Sequence, residues 1–424
     1  MNILWITNIV FPEAENLLKG EGTLKSTGGW MLGAAEALIK NDNIKLFVAS
    51  VSKDVKEITY LKGKSIGYYL IPFGKGNLRV NHDYEPLWKV VRDSVKPDVV
   101  HIHGTEYSHG LAYIEACGSN NVCVSIQGLL SAYYYYYYHG LTVLEIIKSM
   151  TPLSLIRGGI LKGYINFKRR GEIEKKILRK VHHIIGRTSW DRERIWAINP
   201  DAKYHYGGEI LRSDFYIEPI WNYYKCTPHS IFLSQATYPI KGLHMLLRAM
   251  PLVLRHFPDA TVRIAGTDIA RSKGGKELIK LSNYGLIIRK QIKKYHLEKC
   301  VTFTGALDGN GMRKEYLRSN VFVCPSSIEN SPNSLGEAQL LGVPVVASYT
   351  GGIPDMMKGD EKNLYRFEEI EMLACKIVDI FMKAGGVKTD YMRKEALIRH
   401  DPIKNTESLI NIYKMIIESR ACFE

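Results

Sequence analysis

Apolar runs and helical periodicity alternate along most of this chain. In the first half, short β-rich runs fall at NILWIT (2–7), IKLFVAS (44–50), IGYYLIP (66–72), DVVHIH (98–103) and VCVSIQ (122–127). Apolar positions at three- and four-residue spacing predict helices around 28–40, 85–95 and 108–119. The second half repeats the scheme, with strands at SIFLSQ (230–235), TVRIAG (261–266), VTFTG (301–305), NVFVCP (320–325) and PVVAS (344–348). Its helices are predicted near 242–255, 276–296, 309–319 and 333–342. Two successive α/β patterns predict two Rossmann-like domains with parallel sheets, over 1–210 and 225–403. The boundary falls in 208–229, where aromatic, proline and polar residues mix without a period. A last helix near 404–419 lies within a terminal segment, 404–424, that can pack back on the first domain.

Length agrees with this division, because 424 residues exceed one ordinary core. The formal charge of +14 favours an anionic partner, whether nucleic acid, an anionic membrane surface or a phosphorylated ligand. The opening MNILWITNIV reads as a buried strand and not as a signal peptide. Seven cysteines without a CxxC pair argue for reduced, intracellular thiols and against a zinc site. Cys324 reads as a small core residue.

In open parallel sheets ligands sit beyond the carboxyl ends of strands, so the residues that follow each strand carry the functional signal. After 320–325 comes SSIENSPNSLGEAQ. Ser331 is expected as the helix N-cap and Pro332 as the first helical residue. The amides of Asn333, Ser334 and Leu335 would then form an anion site at the helix's positive end. Glu329 precedes that helix and Glu337 lies about one turn inside it. On spacing alone two readings stand. The carboxylates accept paired hydrogen bonds from a hexose and a ribose, or Glu329 complements the helix dipole and Glu337 is a solvated helix residue.

Their flanks resemble one family. Glu329 and Glu337 match the E-x7-E motif of retaining glycosyltransferases of the GT-B fold, family 4, and AQLLGVPVVASYTGGIPDMM (338–357) is similar to that family's continuation. So is PIKGLHMLLRAMPLVLRHFPDATVRIAGTD (239–268). The resemblance implies an α/β GT-B architecture of two Rossmann-like domains facing a central cleft. It implies a nucleotide-diphosphate sugar donor, with Glu329 on the donor sugar, Glu337 on the ribose, and the amides of 333–335 on sugar and diphosphate. It also implies that Lys241, at a helix start, neutralises the departing diphosphate, and that the glycine pair Gly28–Gly29 meets that diphosphate. The family's usual G-R pair is absent here, where the chain reads SQAT (234–237), and Arg263 within a strand is no obvious replacement. Gln127 stands where many members carry an active-site histidine. His103 ends its strand and either lines the cleft or is structural, and His103 or His109 could supply the missing group. There is no DxD-type motif, and neither a metal nor another cofactor is expected.

Two features concern the partner. SAYYYYYYHGL (131–141) carries six consecutive tyrosines, which suit a mixed core segment, a membrane interface or the wall of a sugar cleft. Residues 157–194 hold twelve basic and four acidic side chains, a surplus of eight. That surplus suits an anionic cytoplasmic leaflet or a solvated face. The expectation is a cytoplasmic, peripheral-membrane transferase acting on a glycan or lipid-linked acceptor in surface polysaccharide synthesis. Two other classes share parts of the pattern. A nucleotide-sugar epimerase on the same architecture would need proton-transfer groups that the sequence does not display. A nucleic-acid-binding protein would use the charge, but no reading motif is present and the two glutamates would repel phosphates, so no nucleic-acid partner is expected.

Overall fold

The computed structural model describes residues 1–20, 29–72, 84–271, 279–383 and 385–421. The chain divides into two compact units. The first comprises Met1–Ala132, Phe167–Arg212 and Arg399–Glu424, and the second Tyr133–Asn166 and Ser213–Ile398. Residues 133–166 therefore group with the second unit, although they are flanked in sequence by the first.

In the first unit, β1 (Asn2–Thr7), β2 (Lys45–Ser52), β3 (Thr59–Lys62), β4 (Ile66–Pro72), β5 (Val99–His103), β6 (Val122–Ser125), β7 (His183–Gly186) and β8 (Lys203–Tyr206) form one sheet. Its order is β3-β4-β2-β1-β5-β6-β7-β8, parallel except for the antiparallel edge strand β3. The central strands are buried almost throughout, as their unbroken apolar runs require when helices cover both faces. The helix Glu85–Val95 shows how the period works, with Trp88, Val91 and Val95 buried along one stripe. The terminal helix Pro402–Ala421 completes this unit. Its Tyr413 hydroxyl meets Trp5 Nε1 at 2.9 Å and His101 Nδ1 at 2.6 Å, all three side chains being buried.

The second unit holds β9 (Ser230–Leu233), β10 (Thr261–Ile264), β11 (Val301–Phe303), β12 (Val321–Cys324), β13 (Val345–Ser348) and β14 (Leu364–Tyr365). Every pair is parallel, in the order β11-β10-β9-β12-β13-β14. The direction of winding reverses between β9 and β12, so the chain leaves a crevice outside the carboxyl ends of those two strands. The same reversal in the first sheet falls between β1 and β5.

The segment 133–166 is bound to the second unit by named contacts. Ser327 Oγ donates to Tyr136 O at 2.9 Å, and Arg248 donates to Gly140 O at 2.7 Å and to Glu145 Oε1 at 2.9 Å. Within the tyrosine run, Tyr133, Tyr134 and Tyr137 are buried and only Tyr135 is exposed. The run is therefore mainly core packing and not an aromatic belt facing a bilayer.

Candidate active site

Lys241 and Glu329 lie on either side of the crevice in the second sheet. Lys241 ends the 3₁₀ turn Pro239–Lys241 that follows β9, just before the helix Leu243–His256. Gly242 has φ +71°, and a Cβ there would lie 1.7 Å from Pro325 O, so only glycine lets this turn close on the end of β12. Ser327 N–H donates to Ile240 O at 2.8 Å across the same junction. Backbone packing thus carries the lysine to the loop that holds Glu329. Lys241 Nζ donates to Glu329 Oε1 at 2.6 Å, and Ser326 Oγ donates to the same oxygen at 2.9 Å. Glu329 is 7% exposed, and its carbonyl accepts from Gly352 N–H at 3.0 Å. Burial disfavours the Lys241 ammonium, but the Glu329 carboxylate, with Tyr238, more than offsets it and leaves the lysine pKa above its usual value. Cys324 is the core residue the sequence suggests, its thiol pushed up to about 12 by burial and then by Glu329.

The helix after this loop runs Asn333–Leu340, and its N-cap is Pro332 in an extended conformation with no side-chain cap. This corrects the expected Ser331 cap by one residue. Leu335 N–H bonds back to Pro332 O at 2.9 Å, so that amide serves the helix and not an anion, and its side chain is buried. Asn333 and Ser334 occupy the open first turn. Asn333 Oδ1 is buried and, among the described residues, meets no hydrogen-bond partner. Glu337 is 5% exposed and accepts from Tyr316 Oη at 3.3 Å, while the same hydroxyl donates to Ser334 O at 2.8 Å. A solvated helix-surface Glu337 is thereby excluded. Glu329, Lys241, Asn333, Ser334 and Glu337 all lie at the carboxyl end of the β9–β12 crevice or on the helix that leads from it.

Arg263 is committed elsewhere. Its guanidinium grips Glu315 with two bonds of 2.7 and 2.9 Å, so it does not replace the absent arginine. Ser326 and Tyr316 were not singled out from sequence. Both are common residue types without a motif, and only the fold reveals their contacts with the two glutamates.

In the first unit, His103 ends β5 beside Ser125 of β6, and Gln127 follows two residues later. His103 is buried, stacks on His101 at 3.9 Å between ring centroids and lies 4.3 Å from Trp5. Burial, then His101 and Arg187, hold its imidazole well below the usual histidine pKa, so it is neutral near pH 7. Gln127 Nε2 is buried and meets no hydrogen-bond partner among the described residues. His109 opens the helix His109–Cys117 and stacks on Tyr107, with its pKa lowered to about 4 by burial and Arg170. His101, His103, Arg187 and Glu209 border a small concavity in this unit. Arg187 is ion-paired with Glu209 there, a pair 22 residues apart that no sequence motif announced. Gly29 starts the helix Gly29–Leu38, and Gly28 lies outside the described residues.

Residues 227–383 match the family described as Glycosyl transferases group 1. An uncharacterized glycosyltransferase of Methanocaldococcus jannaschii is 26% identical over 192 residues, which are 44% of this chain and 45% of that protein. The match therefore spans less than half the length of that relative. Sucrose-phosphate synthase from Thermosynechococcus elongatus is similar in structure, with a TM-score of 0.68 and 16% identity, covering 98% of this chain and 99% of that one. Anabaena HepE in complex with UDP-glucose gives a TM-score of 0.60 at 16% identity, covering 99% of both chains. These likenesses identify the fold as GT-B.

Proposed function

From a group 1 glycosyltransferase domain on a GT-B fold, we propose that this chain transfers a sugar from a nucleotide-diphosphate sugar to a glycan acceptor, with retention of anomeric configuration. The observation that carries the reading is the Lys241–Glu329 contact beside the open first turn of the Asn333–Leu340 helix, with Glu337 buried behind it. One cation, helix amides and two carboxylates are the chemistry that a sugar diphosphate requires. The UDP-glucose in the HepE structure supports a nucleotide-sugar donor here.

In this mechanism Glu337 accepts hydrogen bonds from the ribose hydroxyls, and Glu329 accepts them from the donor sugar and orients its C1. The amides of Asn333 and Ser334 and the Lys241 ammonium face the diphosphate. The bond from C1 to the β-phosphate oxygen breaks, and a bond from C1 to the acceptor oxygen forms on the same face. The acceptor proton passes to the departing phosphate oxygen, whose growing charge Lys241 stabilises. No metal is assigned a role. His103 stays neutral and lends its unit a polar ring, and Gln127 offers an amide to the acceptor.

The acceptor is lipid-linked and the product a surface polysaccharide, with the enzyme peripheral at the inner face of the membrane. The basic surplus of 157–194 supports this placement, and no helix among the described residues is long and apolar enough to cross a membrane. The test is product analysis by NMR with a nucleotide-diphosphate sugar and a glycan acceptor. The reading expects a new glycosidic bond with the donor's anomeric configuration. Free epimerised sugar without transfer would overturn it.

A further inference from the structure

Two short helices in the second unit, Val143–Ile147 and Pro152–Arg157, and the first two turns of Gly159–Lys180 turn most of their large apolar side chains outward. Their polar residues face inward: Ser149, Thr151 and Ser154 are 2–4% exposed. Ile146 and Ile160 are buried, but most of their apolar residues face outward. Val143, Leu144, Ile147, Met150, Leu155, Ile156, Leu161 and Ile165 are all exposed, Ile156 at 81% and Leu155 at 66%. Eight of the 25 exposed large apolar side chains among the described residues thus fall within 23 consecutive positions. Scattered exposed apolar residues are ordinary on a soluble surface, but a concentrated set marks a surface with a partner.

The segment is held in this orientation from below. Thr151 Oγ1 donates to Leu281 O at 2.7 Å, Ile160 N–H to Asn283 Oδ1 at 3.0 Å, and Lys290 Nζ to Lys148 O at 2.8 Å. These bonds fasten it to the helix Asn283–Lys294 and occupy the inward hydroxyls, which fixes the exposed apolar side chains on the outward face.

The charges beside this face have one sign. Lys148, Arg157 and Lys162 are exposed within the segment, and Lys290, Lys293 and Lys294 are exposed on the helix beneath it. Lys290 and Lys294 are one turn apart and share a helix face. The segment's one carboxylate, Glu145, is taken by Arg248 and by its own N-cap Thr142. A second copy of this chain on the same patch would bring like charges together across the contact, and charged residues are depleted from the core of such contacts. An anionic bilayer satisfies both parts of the surface at once. Its headgroups pair with the lysines and arginine, while the leucines and isoleucines sink into the acyl boundary.

We propose that residues 143–165 and the lysine ridge at 290–294 dock the second unit on an anionic lipid bilayer. The inference rests on the peripheral placement given above and deepens it, because it assigns the docking face to apolar helices of the second unit. The test is flotation of the full chain with vesicles of phosphatidylcholine plus phosphatidylglycerol, against pure phosphatidylcholine. The wild type is expected to float with the anionic vesicles. Leu155→Ser with Ile156→Ser should lower partitioning at least about tenfold. Arg157→Gln with Lys293→Gln and Lys294→Gln should lower it on the order of 10²-fold. All five positions are exposed, and an unchanged melting temperature confirms that the variants fold. If the wild type floats and both variants float equally, this face is not the docking site, although the peripheral placement stands. If the wild type does not float, both fail. If light scattering without lipid shows a dimer that Ile156→Ser abolishes, the face is a contact between copies and the proposal is overturned.

Discussion

Lys241 Nζ and Glu329 Oε1 are 2.6 Å apart, so the cation assigned to the diphosphate and the carboxylate assigned to the sugar neutralise each other when no donor is bound. Each is preorganised by the other, and in the proposed mechanism donor binding exchanges this contact for two contacts with the substrate. Lys241→Ala is therefore expected to lower turnover on the order of 10²-fold or more. It should also destabilise the second unit by about 3–5 kcal/mol, because it leaves Glu329 buried without its partner. Adding Glu329→Gln should recover much of the stability and none of the turnover. Urea unfolding beside initial rates checks both arms.

The two glutamates should separate in their effects. Glu337→Ala is expected to weaken binding of donor and of free nucleotide alike, whereas Glu329→Ala mainly depresses turnover. Calorimetry with both ligands decides. Unchanged nucleotide affinity in Glu337→Ala removes the ribose assignment.

The first unit should be labile to acid. Burial lowers His101 and His400 to about 3 and His205 to about 4, with His103 held well below its usual value. In the unfolded chain these imidazoles take up protons below about pH 6.5, while in the fold they stay neutral. The unfolded state then binds more protons, so stability is full above pH 6.5 and falls as pH drops toward 4. Each imidazole contributes a loss of about 1.4 kcal/mol per pH unit over that window. Urea midpoints at pH 7 and pH 5 test the sign, and a higher midpoint at pH 5 would contradict it.

Tyr413 closes the terminal helix onto β1 and β5. Tyr413→Phe removes the partner of Trp5 Nε1 and His101 Nδ1 and is expected to cost about 1–3 kcal/mol. Chemical denaturation of the full chain measures it.

Much of this architecture was legible because burial on both sides of a parallel sheet writes unbroken apolar runs such as VVHIH and VFVC. Strands with other environments were not. The edge strand Thr59–Lys62 pairs on one side only, and Lys203–Tyr206 is exposed along half its length. Their mixed patterns carry no clear period. At the site, Glu329, Glu337 and Lys241 were found through motif context. Their neighbours Ser326 and Tyr316 come from turns and helices whose meeting is fixed by the sheet order. The grouping of 133–166 with the second unit depends on side-chain bonds across more than 100 positions, such as Arg248 to Gly140 O, which no local pattern encodes.

The central claim is that the β9–β12 crevice of the second unit holds a nucleotide-diphosphate sugar. A thermal-shift panel of nucleotide sugars on wild type and Glu337→Ala tests it most directly. The account predicts that one of them stabilises the wild type, by about 2.7 kcal/mol at a hundredfold excess over its Kd, and that the shift is lost in Glu337→Ala. No shift with any nucleotide sugar, or an equal shift in both proteins, would contradict it.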